Sequence, residues 1–355
     1  MKRYTLYYII SLATMFFVAC NSSLDGIVQE QPAMIGFGVD VDDTRSTIIQ
    51  SSEDATFRAK AFRVFAEHTP DGGVPQDVFN DVDVKYDGRL TGWNYDGEPK
   101  MWAENGTYVF RGYWPSTTKL ASGTATTSSL VLEYSVKSDN DDLMVGYYAC
   151  PTKNPDSYGN VQYVGFKFHH TLAAVRIALK IGQRAKAKYT VKNVYFTSLI
   201  YTNSLSYTQR NSDAVSLNSW GDAGVRSEND EFGVDRIREW DDGDEGVSGL
   251  VPVTTDDADP QYLYLPWQLM IPQSLLVTGS TPKPAVVIEL ETNLDGNIHS
   301  SIKSLTLPTA TINSWEPSKK YTYTITLQPN SFDITVQSVK WDVVDGVVPD
   351  LELKL

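Results

Sequence analysis

Four stretches of this chain alternate apolar and polar residues with a period of two, and that pattern constrains the fold more than any other feature. In "IGFGVDV", Ile35, Phe37, Val39 and Val41 share one side, with Gly36, Gly38 and Asp40 on the other. "YTYTITL" sets Tyr321, Tyr323, Ile325 and Leu327 against three threonines, and "DLELKL" sets Leu351, Leu353 and Leu355 against Glu352 and Lys354. "TYVFRGYWP" places Tyr108 and Phe110 on one face and stops at Pro115, which cannot donate to a central ladder. Successive side chains of a strand face opposite ways, so each stretch reads as a half-buried strand. Turn residues separate such segments and helical periodicity is almost absent, so the expected fold is all-β, a sandwich or barrel.

Two longer segments change parity partway. In "VQYVGFKFHHTLAAVRIALKI" the apolar set moves from Val164, Phe166 and Phe168 to Val175, Ile177, Leu179 and Ile181. An uninterrupted strand cannot do this on one face, which predicts a bulge or kink between His169 and Ala174. A second break is expected near Gln337 and Ser338, where Ile334 and Val336 give way to Val339, Trp341 and Val343.

A length of 355 residues suggests two domains. The basic, polar stretch "KIGQRAKAKYTV" (180–191) marks a boundary, giving an N-terminal domain at 51–185 and a C-terminal domain at 186–355. The latter carries a long insertion, about 211–259, rich in Asp, Glu, Gly and Ser, which reads as an irregular surface excursion.

The start of the chain has its own logic. Lys2 and Arg3 precede an apolar run from Leu6 to Val18, shorter than the ~20 residues that span a bilayer. Residues 1–19 therefore read as an export signal. Phe17-Val18-Ala19-Cys20 resembles a bacterial lipobox, in which the cysteine is acylated and anchors the mature chain in lipid; the plainer reading is a soluble secreted protein. Residues 20–50 then form a tether containing the first strand. With Cys20 acylated, Cys150 has no disulfide partner, so burial alone stabilises the fold. The net charge of −14, or −16 without Lys2 and Arg3, argues against nucleic acid as a partner.

Sites for chemistry are sparse. His169 and His170 are adjacent on a strand and face opposite ways, and neither they nor His68 and His299 show zinc-ligand spacing. The acidic clusters "SDNDDL" (138–143) and "WDDGDEG" (240–246) read as solvated loops or calcium ligands, and the second lacks the twelve-residue loop spacing. No phosphate loop, nucleophile elbow or cofactor motif is visible. The aromatic residues could supply a sugar-stacking surface, although within strands core packing is their default role.

Taken in order, "MWAENGTYVFRGYWP", "DDLMVGYY", "FKFHHTLAAVRIAL", "LMIPQSL", "WEPSKKYTYTITL" and "ITVQSVKW" resemble the fimbrillins of Bacteroidales, the Mfa-like or FimA-like subunits of type V pili. The resemblance implies a non-enzymatic lipoprotein precursor with two tandem transthyretin-like Greek-key β-sandwich domains and no cofactor. It further implies export to the outer membrane and processing by an arginine-specific protease. Mapped onto this chain, cleavage between Arg45 and Ser46 would remove the strand carrying Ile35, Phe37, Val39 and Val41. A strand from another fimbrial subunit would then fill the groove, with residues 347–355 and their Leu351, Leu353 and Leu355 as the donor. The expected role is a cell-surface fimbria in adhesion to a host or bacterial surface ligand. The alternative is an outer-membrane surface lipoprotein that binds glycans and never polymerises.

Overall fold

The computed structural model describes residues 33–41, 55–88, 92–121, 129–136, 139, 141–151, 157–158, 161–181, 188–207, 215, 219–221, 224–226, 237–241, 262–279, 281–327 and 332–340. Their regular structure is strand apart from one short helix, α1 (Ala55–Arg58). The first strands are β1 (Met34–Val41), β2 (Phe62–Thr69), β3 (Gln76–Tyr86), β4 (Trp93–Tyr95), β5 (Thr107–Trp114), β6 (Lys119–Leu120) and β7 (Leu130–Ser135). Next come β8 (Met144–Pro151), β9 (Ser157–Tyr158), β10 (Val161–His170), β11 (Ala173–Ile181), β12 (Lys188–Thr197), β13 (Ile200–Tyr207), β14 (Val225–Arg226) and β15 (Ile237–Asp241). The rest are β16 (Tyr262–Tyr264), β17 (Gln268–Met270), β18 (Gln273–Ser274), β19 (Ala285–Leu294), β20 (Asn297–Thr306), β21 (Ser314–Trp315), β22 (Lys319–Leu327) and β23 (Phe332–Lys340). Among the described residues no helix is long and apolar enough to cross a membrane.

The first sheet runs β1-β4-β3-β2-β5-β8-β10-β9, and β1 also pairs with β10, so seven of its strands close into a ring. Inside lies a core dominated by aromatic rings, among them Phe37, Phe57, Phe62, Phe79, Phe110, Trp114, Phe166 and Phe168. The remaining strands form sheets β16-β11-β22-β23, with β17 also on β11, then β15-β12-β19-β20, β14-β13-β7-β6 and β18-β21. Their inner faces share a second, larger core. Phe65, Tyr113 and Val145, which alternate with the ring's interior residues, belong to that second core. So does β7, which pairs with β13 from Leu130↔Tyr207 to Ser135↔Thr202.

The first parity change is where the chain leaves one sheet for another. β10 ends at His170 in the ring, and β11 begins at Ala173 in the β16-β11-β22-β23 sheet. Thr171 and Leu172 make the joint, and polar contacts hold it. Thr171 donates from its backbone N–H and its Oγ1 to Leu143 O, at 2.9 and 2.7 Å. Trp220 Nε1 donates to Thr171 O at 3.0 Å, and Ser318 N–H donates to Leu172 O at 3.0 Å. The second expected break is absent: β23 pairs with β22 from Phe332↔Leu327 to Lys340↔Lys319 without a register shift. β23 ends that sheet's order, and an outer strand can carry an apolar residue on its far face without slipping.

Parts of the acidic insertion fall among the described residues. It supplies β14, which pairs with β13, and β15, which pairs with β12. It also supplies Trp220, buried against the joint.

Candidate functional site

β1 is held on both sides. Along one edge it runs parallel to β10, from Met34↔Val161 to Val41↔Phe168. Along the other it meets β4 at Phe37↔Trp93 and Met101 through a bridge from Met34. Three backbone and phenol contacts complete that edge: Ile35 N–H to Lys100 O at 2.8 Å, Trp102 N–H to Ala33 O at 2.9 Å and Tyr95 Oη to Ile35 O at 3.3 Å.

The apolar side of the strand fills the ring. Phe37 is fully buried, with ring centroids 6.1 Å from Phe62, 5.4 Å from Phe79, 5.8 Å from Tyr95, 6.3 Å from Phe110 and 6.1 Å from Phe166. Most are edge-to-face, the arrangement aromatic quadrupoles favour, while Phe166 stacks. Ile35 is also fully buried, and Val39 is half-buried against the same core. Burying Ile35 and Phe37 is worth about 1.5–3 kcal/mol each.

The sequence pattern therefore identifies the strand and its inward side. It does not identify the seat. Phe110 and Phe166 sit in alternating segments, but Phe79 and Tyr95 lie in "QDVFNDVDVKY" and "WNY", which carry no clean alternation. Val41 lies in β1 opposite Phe168, and its side chain is outside the described residues. Cys20, Arg45, Ser46, Leu351, Leu353 and Leu355 also fall outside them.

The other candidate residues serve the fold. His68 Nε2 lies 2.6 Å from Asn105 O, and its ring stacks on Tyr108 at 4.5 Å. His170 Nδ1 lies 2.5 Å from Asp142 Oδ2, both side chains buried at the joint. Asp139 caps the Ser135 N–H at 2.7 Å, and Asp141 pairs with Lys60. The described carboxylates of "SDNDDL" are thus engaged in structure, and Asp142 is buried rather than solvated. Among the described residues no group of three or more His, Cys, Asp or Glu is placed to hold a metal.

A family model described as fimbrillin-like matches residues 44–341. The chain belongs to the fimbrillin-like family. The matched range begins just after β1 and runs to the end of β23. A crystallised fimbrial protein from Bacteroides vulgatus shares the fold, with 17% identity, a TM-score of 0.56, and coverage of 86% of this chain and 99% of that one. A candidate cell adhesion protein from Bacteroides uniformis aligns at 16% identity and a TM-score of 0.45 over 85% of this chain and 98% of its own. One from Bacteroides ovatus aligns at 13% and 0.46 over 88% and 98%. Among curated proteins none matches.

Proposed function

We propose that this fimbrillin-like chain is a non-enzymatic structural subunit of a cell-surface fimbria, assembled by donor-strand exchange. The observation that carries the reading is β1, whose two pairings close the ring and whose Phe37 sits among five aromatic rings. Its removal would leave unpaired backbone groups on β4 and β10 and an apolar groove between them, a state that drives strand addition.

In this reading Cys20 is acylated, the precursor is held in the outer membrane, and its cores correspond to tandem transthyretin-like domains. An arginine-specific protease cuts between Arg45 and Ser46, taking lipid and β1 away together. Residues 347–355 of another subunit then enter the groove through Leu351, Leu353 and Leu355, and the assembled fibre serves adhesion.

The test is incubation of the full precursor with an arginine-specific protease. We expect a new N-terminus at Ser46 and ladders that resist denaturation on a gel, with Arg45→Ala remaining monomeric. A chain ending at residue 346 should fold and be cut yet form no ladder. Complete cleavage at Arg45 that leaves a stable, unassembled monomer would overturn the proposal.

A further inference from the structure

A strand at the end of a sheet is ordinarily kept short, charged, bulged or interrupted by proline, because its open backbone groups pair with other chains. β20 lacks these protections. Its ten residues, NIHSSIKSLT, are about twice the usual strand length and include no proline, no carboxylate and a single lysine. It pairs with β19 from Ala285↔Thr306 to Leu294↔Asn297 without a register shift. Among the described residues no second strand pairs with it, and none of its ten residues is buried.

Its outward face is apolar at two positions. Val286, Ile288 and Leu290 of β19 belong to the second core and lie opposite Leu305, Lys303 and Ser301, so Ile298, Ser300 and Ile302 are on the sheet's other face. There Ile302 lies opposite Glu289 and Ile298 opposite Asn293. Neither isoleucine has an apolar residue directly across the hairpin, and each is more than half exposed. β23, also long and at the end of a sheet, differs: Val336 is buried in the second core, Ile334 packs against it, and Asp333, Thr335 and Gln337 alternate with them.

We infer that β20 joins two copies of this chain, pairing antiparallel with its own counterpart about a two-fold axis at Ser300. Such a contact is isologous, so one surface serves both copies. The outward residues Ile298, Ser300 and Ile302 read the same in either direction, which makes the strand complementary to itself. With Ser300 opposite Ser300, Ile298 of each copy faces Ile302 of the other, with Cβ atoms about 5 Å apart. His299 then faces Ser301 and Lys303 faces Asn297, so no like charges are opposed. A shift of two residues parts both isoleucine pairs, and a shift of one sets outward residues against inward ones. The sheet β15-β12-β19-β20 continues through the axis into its copy. This contact needs neither cleavage nor loss of β1, so it stands apart from strand exchange.

The test uses the uncut precursor carrying Cys20→Ser, without protease, so that neither lipid nor strand exchange drives association. Sedimentation should show monomer and dimer in concentration-dependent exchange. Ile302→Lys should weaken the dimer by about ten-fold or more, since symmetry removes two buried isoleucine pairs at once. Mixing Ile302→Lys with Ile298→Glu should restore it, because the new charges face each other, whereas mixing Ile302→Lys with Ile302→Glu should not. Ser300→Cys should give a disulfide-linked dimer on oxidation, its two Cα atoms lying about 4.5–5.5 Å apart. Ser304→Cys should give none, its two copies being about 27 Å apart along the strands. Melting curves separate lost association from lost folding, and the mixing experiment decides even if one variant melts early. A precursor that stays monomeric across the micromolar range, association unchanged by Ile302→Lys, equal rescue by the two glutamate variants, or equal cross-linking at 300 and 304 would each overturn the assignment. So would a dimer dissolved by a peptide spanning residues 347–355, which would make β20 the seat of that segment instead.

Discussion

The two cores of this protein use the same pairing and differ in what that pairing leaves free. In the ring, β1 lies parallel to β10 over eight residue pairs; in the second core, β11 lies parallel to β22 over eight. β11 continues directly from β10, is flanked by β16 and β17 on its other edge, and leads on toward β12. A cut anywhere near it would leave both ends tied into sheets. β1 is joined to the remaining described chain on its C-terminal side by residues 42–54, so one cut there separates the strand from the core it closes. On the proposed reading, position along the chain rather than strength of pairing makes β1 the strand that one cut can release. Among the described residues the second region also has β20 at the end of a sheet, with Ile298 and Ile302 62% and 53% exposed, whereas the ring's seven strands have neighbours on both sides.

The largest effects should come from truncating the two parallel strands. Phe37→Ala should cost about 3–5 kcal/mol and Ile177→Ala about 2–5 kcal/mol, read from denaturant unfolding. Size alone does not distinguish the regions; rescue does. A peptide spanning residues 34–41 should restore stability to Phe37→Ala and leave Ile177→Ala unchanged. Rescue of neither variant would break the distinction between a removable and a tied strand.

Backbone crowding gives the next contrast. Gly106, in the loop leading to β5, has φ +102°, and a Cβ there would sit 2.3 Å from Thr69 O and 2.8 Å from Pro70 Cα. Neither backbone group can swing away, so Gly106→Ala should cost at least about 1–3 kcal/mol. Gly221, beside β13 in the second region, has nothing nearer than 3.5 Å, and Gly221→Ala should be far milder. Equal melting temperatures for the two variants would show that the loop before β5 yields.

How legible this was in the sequence depends on which kind of pattern carried the information. Period-two alternation identified β1 and β22, each with one apolar side toward a core, and the first half of β5, whose second half is buried on both faces because Tyr113 faces the second core while Phe110 and Trp114 line the ring. It could not show that β1 pairs with β10 rather than with a chain neighbour, since a parallel pairing across so many residues leaves no local mark. The parity change after His169 located the joint but not its nature: a sheet switch and a bulge impose the same residue pattern. Within 211–259 the described residues include the short strands β14 and β15 and the buried Val215 and Trp220, which a polar composition does not mark because short strands need few apolar residues.

The joint between the cores should give intermediate effects. Trp220→Phe removes the donor to Thr171 O, and Ser318→Ala removes the Oγ donor to His170 O. Each should cost about 1 kcal/mol, the net worth of one hydrogen bond, with more where the carbonyl is left buried and unsatisfied. If the joint couples the cores, these variants should also broaden the unfolding transition or split it in two. A sharp single transition at lower denaturant would instead show that the shared packing of Phe65, Tyr113 and β7 couples them.

The smallest effect expected is a pH dependence that separates the regions in alkali. Burial pushes the Cys150 thiol, on β8 in the ring, from 9.0 up to about 11, and pushes Tyr321, on β22, from 10.0 up to about 12. Both groups hold their protons more tightly folded than unfolded, so above the unfolded value the denatured state sheds protons first and stability falls. The stabilisation is fully present below pH 9 for Cys150 and below pH 10 for Tyr321, and is lost progressively toward pH 11 and pH 12. Melting temperature should therefore decline between pH 9 and 10 through the ring's thiol, and Cys150→Ser should flatten that part of the curve alone. The same shift keeps the reactive thiolate scarce. In a Cys20→Ser background, alkylation at pH 9 should be slow in the intact chain and fast once β1 has been removed; fast alkylation before removal would mean the ring opens without losing β1.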